Sequence, residues 1–454
     1  MTNARNVTDS DTNRMEILEK LMAAAKQAGA EQADAMILHS QSLSIAQRLG
    51  EREKLERAES QDLGLRVLID QQQAIVSTTD FSAASLKALT ERAVAMAKAA
   101  PKDKLLGLAD PAQMGKAVAD LELFDDIEPS VDELSSRAAA CEDAARAIDG
   151  VSNSEGAEAQ WSETHLAFAT STGFRGSHRA TRHALSVSAL AGSGTAMERD
   201  YDYSMVAQAS DLVDPITIGQ NAGRRAVRRL NPRPAPSGKF PVIFERRVAN
   251  MILRGFAGAI NGAAIARGTS FLQNALGQQI FPKTIIIEDN PLRRRGHRSR
   301  LFDAEGLAAT PRRLIDQGVL TSWVLDLRTS RQLGLTTTGH AARSPSSPPY
   351  PSVTNLSIAP GSQSLEEMAR DIRQGFLATE LLGHGVNDVT GDYSQGAAGF
   401  WIDKGEIAYP VSGITLAGNM RQIFADLTAA NDIEYLTGID TPSLRTDSLT
   451  VAGG

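Results

Sequence analysis

The pattern of apolar and polar positions divides the chain into helical and strand-like stretches. Apolar residues at helical spacing over residues 15–25 predict an amphipathic helix that ends at Gly29. Alternating β-rich segments follow, and Ser82 is placed to cap a second helix. These elements predict a first domain of helix, sheet and helix over residues 13–105, preceded by a disordered tail of residues 1–12.

The pattern changes towards strands after the first domain. A helix within residues 130–150, long alternating strands and a helix over residues 216–230 predict a central domain at 106–237. The Pro-rich stretch NPRPAPSGK predicts a linker, so a C-terminal domain is expected at 238–454, with a hairpin turn at residues 403–405. The predicted fold class is α+β and multi-domain: an N-terminal α/β-type domain, then a large domain of mostly antiparallel, curved β-sheet with helices.

The stretch from Phe240 to Leu272 combines two patterns. Phe240 to Phe244 is predicted to be a buried strand, and a long helix is predicted after it. The apolar positions on one side of that helix are Val248, Met251, Ile252, Gly255 and Phe256. A strand followed by a helix that lines a cleft could hold metal ligands, but the side chains available there are Arg, Gly and Ala.

The composition is typical of a soluble globular protein. At 454 residues, with 42% hydrophobic and 22% charged residues, the chain is long enough for about two or three domains. No apolar run reaches the roughly 18 residues of a membrane span, and the polar N-terminal stretch argues against a secretory signal. The single cysteine, Cys141, excludes an internal disulfide, so we expect the protein to be cytoplasmic.

The net charge of −7 gives no general attraction for nucleic acid or anionic membranes, and neither is predicted as a partner. Arginines are nevertheless concentrated at residues 224–233 and again at 293–300. We interpret the first cluster as a solvated helix face and the second as an exposed loop. Neither cluster is interleaved with aromatic residues, which a nucleic-acid surface would favour.

Tests for common catalytic motifs give no match. No histidine is followed by glutamate, so the H-E-x-x-H zinc motif is missing from the sequence. His178 and His183 are five residues apart on a predicted strand, which places them on opposite faces. The sequence also contains no serine nucleophile elbow and no phosphate-binding P-loop. Motifs alone therefore predict no catalytic set.

Three carboxylates are the strongest acidic candidates for a site assembled from distant residues. Asp303 and Glu305 lie in the segment FDAEG, and Asp392 lies in TGDYS. Carboxylates in such segments more commonly cap turns and loops, so this structural role is the competing interpretation.

Several long segments resemble the TldD/PmbA family, in particular its PmbA (TldE) branch. These segments are DLGLRVLIDQQQAIVSTTDFS, LFDAEGLAATPRRLIDQGVL, PYPSVTNLSI and GVNDVTGDYSQGAAGFWIDKGEIAYPVSGITLAGN. The resemblance extends from about residue 15 to residue 454. It implies a cytoplasmic protein associated with the hydrolysis of peptides and protein fragments.

The resemblance also implies a position for the family's zinc motif, on the predicted helix after Phe244. TldD members of the family carry H-E-x-x-x-H there, with a C-terminal cysteine as a further zinc ligand. In this chain Arg254 stands for the first histidine, Gly255 for the glutamate and Ala259 for the second histidine, and the last residues contain no cysteine. We therefore expect no catalytic residue and no bound zinc in this chain, with zinc only in a TldD-like partner. The remaining candidates for cleft or substrate contact are Arg254, Asp303, Glu305, Asn355, Asp392 and Ser394.

Three functional hypotheses remain open at this point. The first is a non-catalytic subunit that positions a peptide or unfolded protein for a TldD-like metalloprotease subunit. It includes β-strand addition of the peptide to exposed strand edges in the C-terminal domain. The alternative is a stand-alone homodimeric module that binds or scaffolds peptides, and the third is a hydrolase that uses Asp303, Glu305 or Asp392 without zinc.

Overall fold

The computed structural model of this chain describes residues 3–383 and 385–453. Its helices are α1 (Asn3–Gln27), α2 (Ala83–Ala99), α3 (Val131–Arg146), α4 (Pro215–Arg228), α5 (Arg246–Ala259), α6 (Gly262–Arg267), α7 (Leu327–Leu333), α8 (Leu365–Ala369) and α9 (Met420–Ala425). Its strands are β1 (Gln32–Arg48), β2 (Glu51–Ile69), β3 (Gln72–Thr78), β4 (Val151–Thr170), β5 (Arg175–Ala191), β6 (Glu198–Val206), β7 (Gly238–Phe244), β8 (Ile287–Asp289), β9 (Arg312–Asp316), β10 (Val319–Leu320), β11 (Ala341–Ala342), β12 (Tyr350–Pro351), β13 (Leu356–Ile358), β14 (Gln374–Leu382), β15 (Asp392–Asp403), β16 (Glu406–Asn419), β17 (Thr428–Ala429), β18 (Ile439–Asp440) and β19 (Leu444–Ala452). The predicted α+β class is confirmed.

The first half of the chain forms one antiparallel sheet of six strands in the order β3-β2-β1-β4-β5-β6. Because β1 pairs with β4, the sheet joins the predicted first and central domains into one continuous layer. Helices α1 to α4 cover one face, and alternate residues such as Ile37 and Ile45 of β1 are buried beneath them. The opposite face carries Met36 and Phe168, which pack against Phe302 of the C-terminal half.

The first helix is longer than predicted. It begins at Asn3, so residues 3–12 are helical in the structure where the sequence predicts a disordered tail, and residues 1 and 2 lie outside the described part. Within residues 3–383 and 385–453, no helix is both long and apolar enough to cross a membrane.

The C-terminal half is built around a ring of strands. The sheet order is β16-β15-β14-β7-β19-β17, and a further pairing between β16 and β19 closes β7, β14, β15, β16 and β19 into a ring. Only the pairing of β7 with β14 is parallel within it. The closed ring leaves few free edges, so peptide addition to its strands is less accessible than the sequence suggests. A second sheet of this half, in the order β10-β9-β8-β13-β18, is open.

Two-residue turns connect the long hairpins as the sequence predicts. Lys404 and Gly405 lie between β15 and β16 with φ of 50° and 84°, the left-handed conformation of a tight hairpin turn. Asp70 and Gln71 make the equivalent turn between β2 and β3 with φ of 48° and 62°. The hairpin turn predicted at residues 403–405 is therefore confirmed.

The long helix predicted after Phe244 is broken. Helix α5 ends at Ala259, and the Asn261 side chain caps the short α6 by accepting a hydrogen bond of 3.0 Å from the backbone N–H of Ala263. The Gly262 N–H donates to the carbonyl of Val324 at 2.8 Å instead of continuing the helix. Asparagine at an N-cap thus ends a pattern that otherwise looks continuously helical.

A substitution at Gly64 of β2 tests the contact between the first sheet and Pro345 of the C-terminal half. A Cβ at this position would lie 1.9 Å from the carbonyl oxygen of Pro345, so we expect Gly64→Ala to lower the free energy of unfolding by about 2–3 kcal/mol or more. Gly258→Ala is the matched control: nothing lies within 4 Å of its Cβ. It should stabilise α5 by about 0.5–1 kcal/mol. Chemical denaturation measures both, and a Gly64→Ala protein as stable as wild type would contradict this contact.

Candidate functional site

The candidate site is built on the step from β7 into α5. Val242, Ile243 and Phe244 of β7 are fully buried, because the strand lies inside the ring between β14 and β19. Helix α5 begins directly afterwards, and its first N–H, that of Arg246, donates to the Ser443 Oγ at 3.1 Å. The buried residues of α5 recur at helical spacing on one face, and this face packs against the core.

Arg254, Gly255 and Ala259 take three different environments on α5. Arg254 is exposed, whereas Ala259 is buried and its carbonyl accepts a hydrogen bond of 2.5 Å from the Ser270 Oγ. A Cβ on Gly255 would lie 3.1 Å from the Met420 Cε, so this position is closely packed. Side chains larger than glycine would require that methionine to move.

These three residues do not fit a zinc ion. Protein zinc ligands are cysteine, histidine and carboxylate side chains, whereas a guanidinium has no lone pair to donate and Gly and Ala have no donor atom. Within residues 3–383 and 385–453, no group of three or more His, Cys, Asp or Glu side chains is arranged to hold a metal ion, and His384 lies outside the described residues. That this chain binds no zinc stays a prediction.

Arg254 belongs to a group of converging arginines. Burial, and then the charges of Arg254 and Arg182, lower the pKa of the Arg298 guanidinium below its usual value. Asn355, a predicted contact residue, is fully buried and its Oδ1 accepts a hydrogen bond of 3.0 Å from the backbone N–H of Arg298. Its Nδ2 donates to the Ser299 Oγ at 2.8 Å. Asn355 therefore positions the arginine segment and is buried away from a substrate.

Asp392 and Ser394 lie on the first residues of β15 and are exposed. Asp392 accepts hydrogen bonds from the Thr390 Oγ1 at 2.7 Å and the Asn419 Nδ2 at 3.1 Å, and the first of these lowers its pKa most. Asn419 in turn caps α9, whose Met420 faces Gly255. The structure therefore brings the start of β15 towards α5.

Asp303 and Glu305 are buried and have structural partners. The Asp303 carboxylate accepts from the backbone N–H groups of Glu305, Leu307 and Ala341 at 2.9, 3.0 and 3.1 Å. Glu305 accepts from the Leu327 N–H, at the start of α7, at 2.9 Å. Both carboxylates therefore have the turn-capping role that the sequence offered as the alternative to a catalytic role. Among the described contacts, neither side chain touches Arg254.

Burial perturbs both acids. Burial, followed by the nearby carboxylates of Asp303 and Asp326, raises the pKa of Glu305 well above its ordinary value. Burial also raises the pKa of Asp303, against the opposing charge of Arg300. A buried carboxyl beside other carboxylates is stabilised in its neutral form, so Glu305 is held protonated over a wider pH range than a free glutamate.

A buried group of three charges links the first sheet to the C-terminal half. Arg66 donates through Nε to the Asp34 Oδ2 at 2.7 Å, and Arg343 pairs with the other oxygen of Asp34. The Asp34 and Arg343 side chains are 0% exposed and Arg66 is 5% exposed, so all three are removed from water. Although burial favours the neutral acid, the charges of Arg343 and Arg66 lower the pKa of Asp34.

The two arginine clusters are less solvated than the sequence suggests, and that interpretation was wrong for several members. Arg229 is 7% exposed and pairs with Glu380 of β14, and Arg225 pairs with Asp202 at 2.8 Å. Arg300 in the second cluster is also buried at its Nε and Nη2 atoms. No sequence signal distinguishes these residues from exposed arginines, since their partners are far away along the chain.

Three family models match the chain in the order of its sequence. They are PmbA/TldA metallopeptidase domain 1 over residues 33–97, the central domain over residues 124–230 and the C-terminal domain over residues 237–453. The matched ranges leave a gap between the first two models, in the connection from α2 to α3.

Full-length relatives carry the same family names. Metalloprotease PmbA of Escherichia coli O157:H7 is 36% identical over 434 residues, which cover 95% of this chain and 94% of that protein. A metalloprotease PmbA homolog of Haemophilus influenzae is 35% identical, with 94% of each chain covered. The same H. influenzae strain has a metalloprotease TldD homolog that is 26% identical over 58% of each chain.

Solved structures share the fold. A Bacteroides thetaiotaomicron protein described as a candidate modulator of DNA gyrase superposes with a TM-score of 0.89 and 25% identity, covering 97% of this chain and 99% of that one. TldE from Thermococcus kodakarensis superposes with a TM-score of 0.85 at 20% identity, covering 96% of this chain and 100% of that one. The second likeness concerns the fold alone.

The raised pKa of Glu305 makes stability depend on pH. The unfolded chain ionises this group from about pH 4.3, whereas the folded protein resists ionisation, so folding stability is lost as pH rises between the two pKa values. Glu305→Gln removes this loss and keeps an acceptor for the Leu327 N–H. The stability gained over wild type should therefore grow by up to about 1.4 kcal/mol per pH unit.

Urea unfolding from about pH 5 to about pH 8 measures the difference. The exposed Glu366→Gln is the matched control and should show no comparable trend. A stability difference between Glu305→Gln and wild type that stays constant with pH would contradict the assignment.

Proposed function

We propose that this chain, which belongs to the PmbA/TldD metallopeptidase family, is a PmbA-type subunit that works beside a zinc-bearing TldD-like subunit in the proteolysis of peptides and protein fragments. The observation that carries the proposal is the set of side chains on α5. By the family resemblance, Arg254, Gly255 and Ala259 take the positions of the zinc motif of TldD members, and none of their side chains can coordinate zinc. The hydrolytic water would then be activated by the partner subunit.

One further observation supports a paired arrangement, and another supports a cytoplasmic location. H. influenzae, whose PmbA homolog covers nearly the whole of this chain, also has a TldD homolog, so both kinds of subunit are available in one cell. The chain has a single, buried cysteine, which favours the reducing cytoplasm as its location. We therefore place the pair in the cytoplasm.

The role proposed for this chain is to position the substrate. Arg254 is exposed on α5 beside Arg298 and Arg182, and three converging positive charges favour an anionic group near them. A peptide carboxylate or an acidic side chain has that charge. The exposed start of β15 carries Asp392 and Ser394 and offers polar groups to a peptide backbone. It is linked to α5 through Asn419, which contacts Asp392, and the next residue, Met420, which packs against Gly255.

Reconstitution with a TldD-like relative from the same genome tests the partnership. The pair should hydrolyse an unstructured fluorogenic peptide at least about ten times faster than the relative alone, because this chain completes the substrate cleft. Size-exclusion chromatography with light scattering identifies the assembly. Equal rates with and without this chain, or a homodimer that ignores the relative, would instead support the stand-alone peptide-binding module.

Charge reversal at Arg254 tests its positioning role. Arg254→Glu should leave the pair assembled but raise KM for an acidic peptide by about ten-fold, a loss of about 1.4 kcal/mol in binding. Arg224→Glu is the control, because Arg224 is also an exposed helical arginine but lies on α4. Identical kinetics for the two variants would identify Arg254 as an ordinary surface residue.

A further inference from the structure

A cavity of about 280 Å³ lies between the first sheet and the C-terminal half. It opens on the sheet face that is not covered by α1 to α4. Its apolar lining residues include Met36, Leu38, Leu166, Phe168 and Phe302. The lining also includes Arg298, Arg300 and Arg343, and the guanidinium carbon of Arg343 lies 5.9 Å from the centroid of the Phe168 ring. A largely apolar cavity with arginines in its lining is suited to a ligand with both characters.

Two of the guanidinium nitrogens of Arg300 have no hydrogen-bond acceptor among the described residues. Its Nη1 donates to the carbonyl of Ala341 at 2.8 Å. Its Nε and Nη2 atoms are buried and have no acceptor within residues 3–383 and 385–453. Buried donors of a charged group without acceptors are costly, so such a group is a candidate for binding an anion.

Arg343 presents the same feature from a second loop. Its side chain is 0% exposed, and one of its nitrogens pairs with Asp34. Its Nε and Nη2 are buried and, among the described residues, have no hydrogen-bond acceptor. Because Asp34 is shared with Arg66, this single carboxylate faces two guanidinium groups. The forked donors of arginine match the two oxygens of a carboxylate.

The negative and titratable groups of the cavity do not compete for these donors. Asp303 lines the cavity, but its oxygens already accept three backbone hydrogen bonds, from Glu305, Leu307 and Ala341. His178 also lines it, and burial together with the charge of Arg300 lowers the pKa of His178 to about 4, which leaves it neutral near pH 7. The arginines that line the cavity therefore remain positively charged.

We infer that this cavity binds a carboxylate attached to a compact apolar group, with Arg300 and Arg343 holding the carboxylate and the wall around Phe168 and Phe302 holding the apolar group. This chemistry is shared by a peptide that ends in an apolar residue and by a short free carboxylic acid. The inference depends only on residues of this chain, so it stands whether or not the proposed partnership is correct.

Isothermal titration of the purified full-length chain with three probes tests the site. N-acetyl-leucine is the peptide C-terminus probe, 4-methylpentanoate is the free-acid probe, and N-acetyl-leucinamide has the same apolar group without a carboxylate. At least one acid should bind about ten times more tightly than the amide or better, since a charge-assisted contact is lost in the amide. Tighter binding of N-acetyl-leucine identifies a peptide end, and tighter binding of 4-methylpentanoate identifies a small acid.

Variants locate the binding in this cavity. Arg300→Gln should weaken acid binding by about ten-fold or more and leave amide binding unchanged. Arg294→Gln is the control, because Arg294 is 66% exposed in the same segment and does not line the cavity. The comparison of acid with amide in the wild-type chain needs no variant and therefore does not depend on whether Arg300→Gln folds. Equal binding of acids and amide, no binding of any probe, or unchanged acid binding in Arg300→Gln would overturn the inference.

Discussion

The shared ion pair of Asp34 with Arg66 and Arg343 is the constraint on which the junction between the two halves depends. Placing charges out of water is costly, and each charge is tolerated only while its partner remains in place. Arg66 and Asp34 lie on the first sheet, whereas Arg343 comes from a loop of the C-terminal half. Separating the halves would break the pair between Asp34 and Arg343 and leave Arg66 as the only described arginine that pairs with the carboxylate.

The same junction connects the two places where ligand chemistry is concentrated. In the segment of residues 293–300, the His297 Nε2 lies 2.9 Å from the carbonyl oxygen of Met205 in β6, the charge of Arg254 of α5 acts on Arg298, and Arg300 lines the cavity. The Asn355 side chain accepts from the backbone of this segment and is itself fully buried. One segment of the chain therefore connects α5, the first sheet and the cavity.

Local patterns in the sequence predicted local structure well and long-range contacts poorly. The turn at Lys404 and Gly405 was predictable because two adjacent residues determine it. The break in the helix at Asn261 was missed, because its cap lies inside an apolar run and depends on a contact with Val324. The burial of Arg229 could not be predicted, since its partner Glu380 is 151 residues away.

We propose that zinc is bound by a partner subunit and not by this chain. Native mass spectrometry of the reconstituted pair, followed by zinc quantification in each separated subunit, tests it most directly. We expect one zinc for each TldD-like subunit and none retained by this chain, because the side chains of Arg254, Gly255 and Ala259 offer no ligand atom. Stoichiometric zinc retained by this chain when purified alone would contradict it.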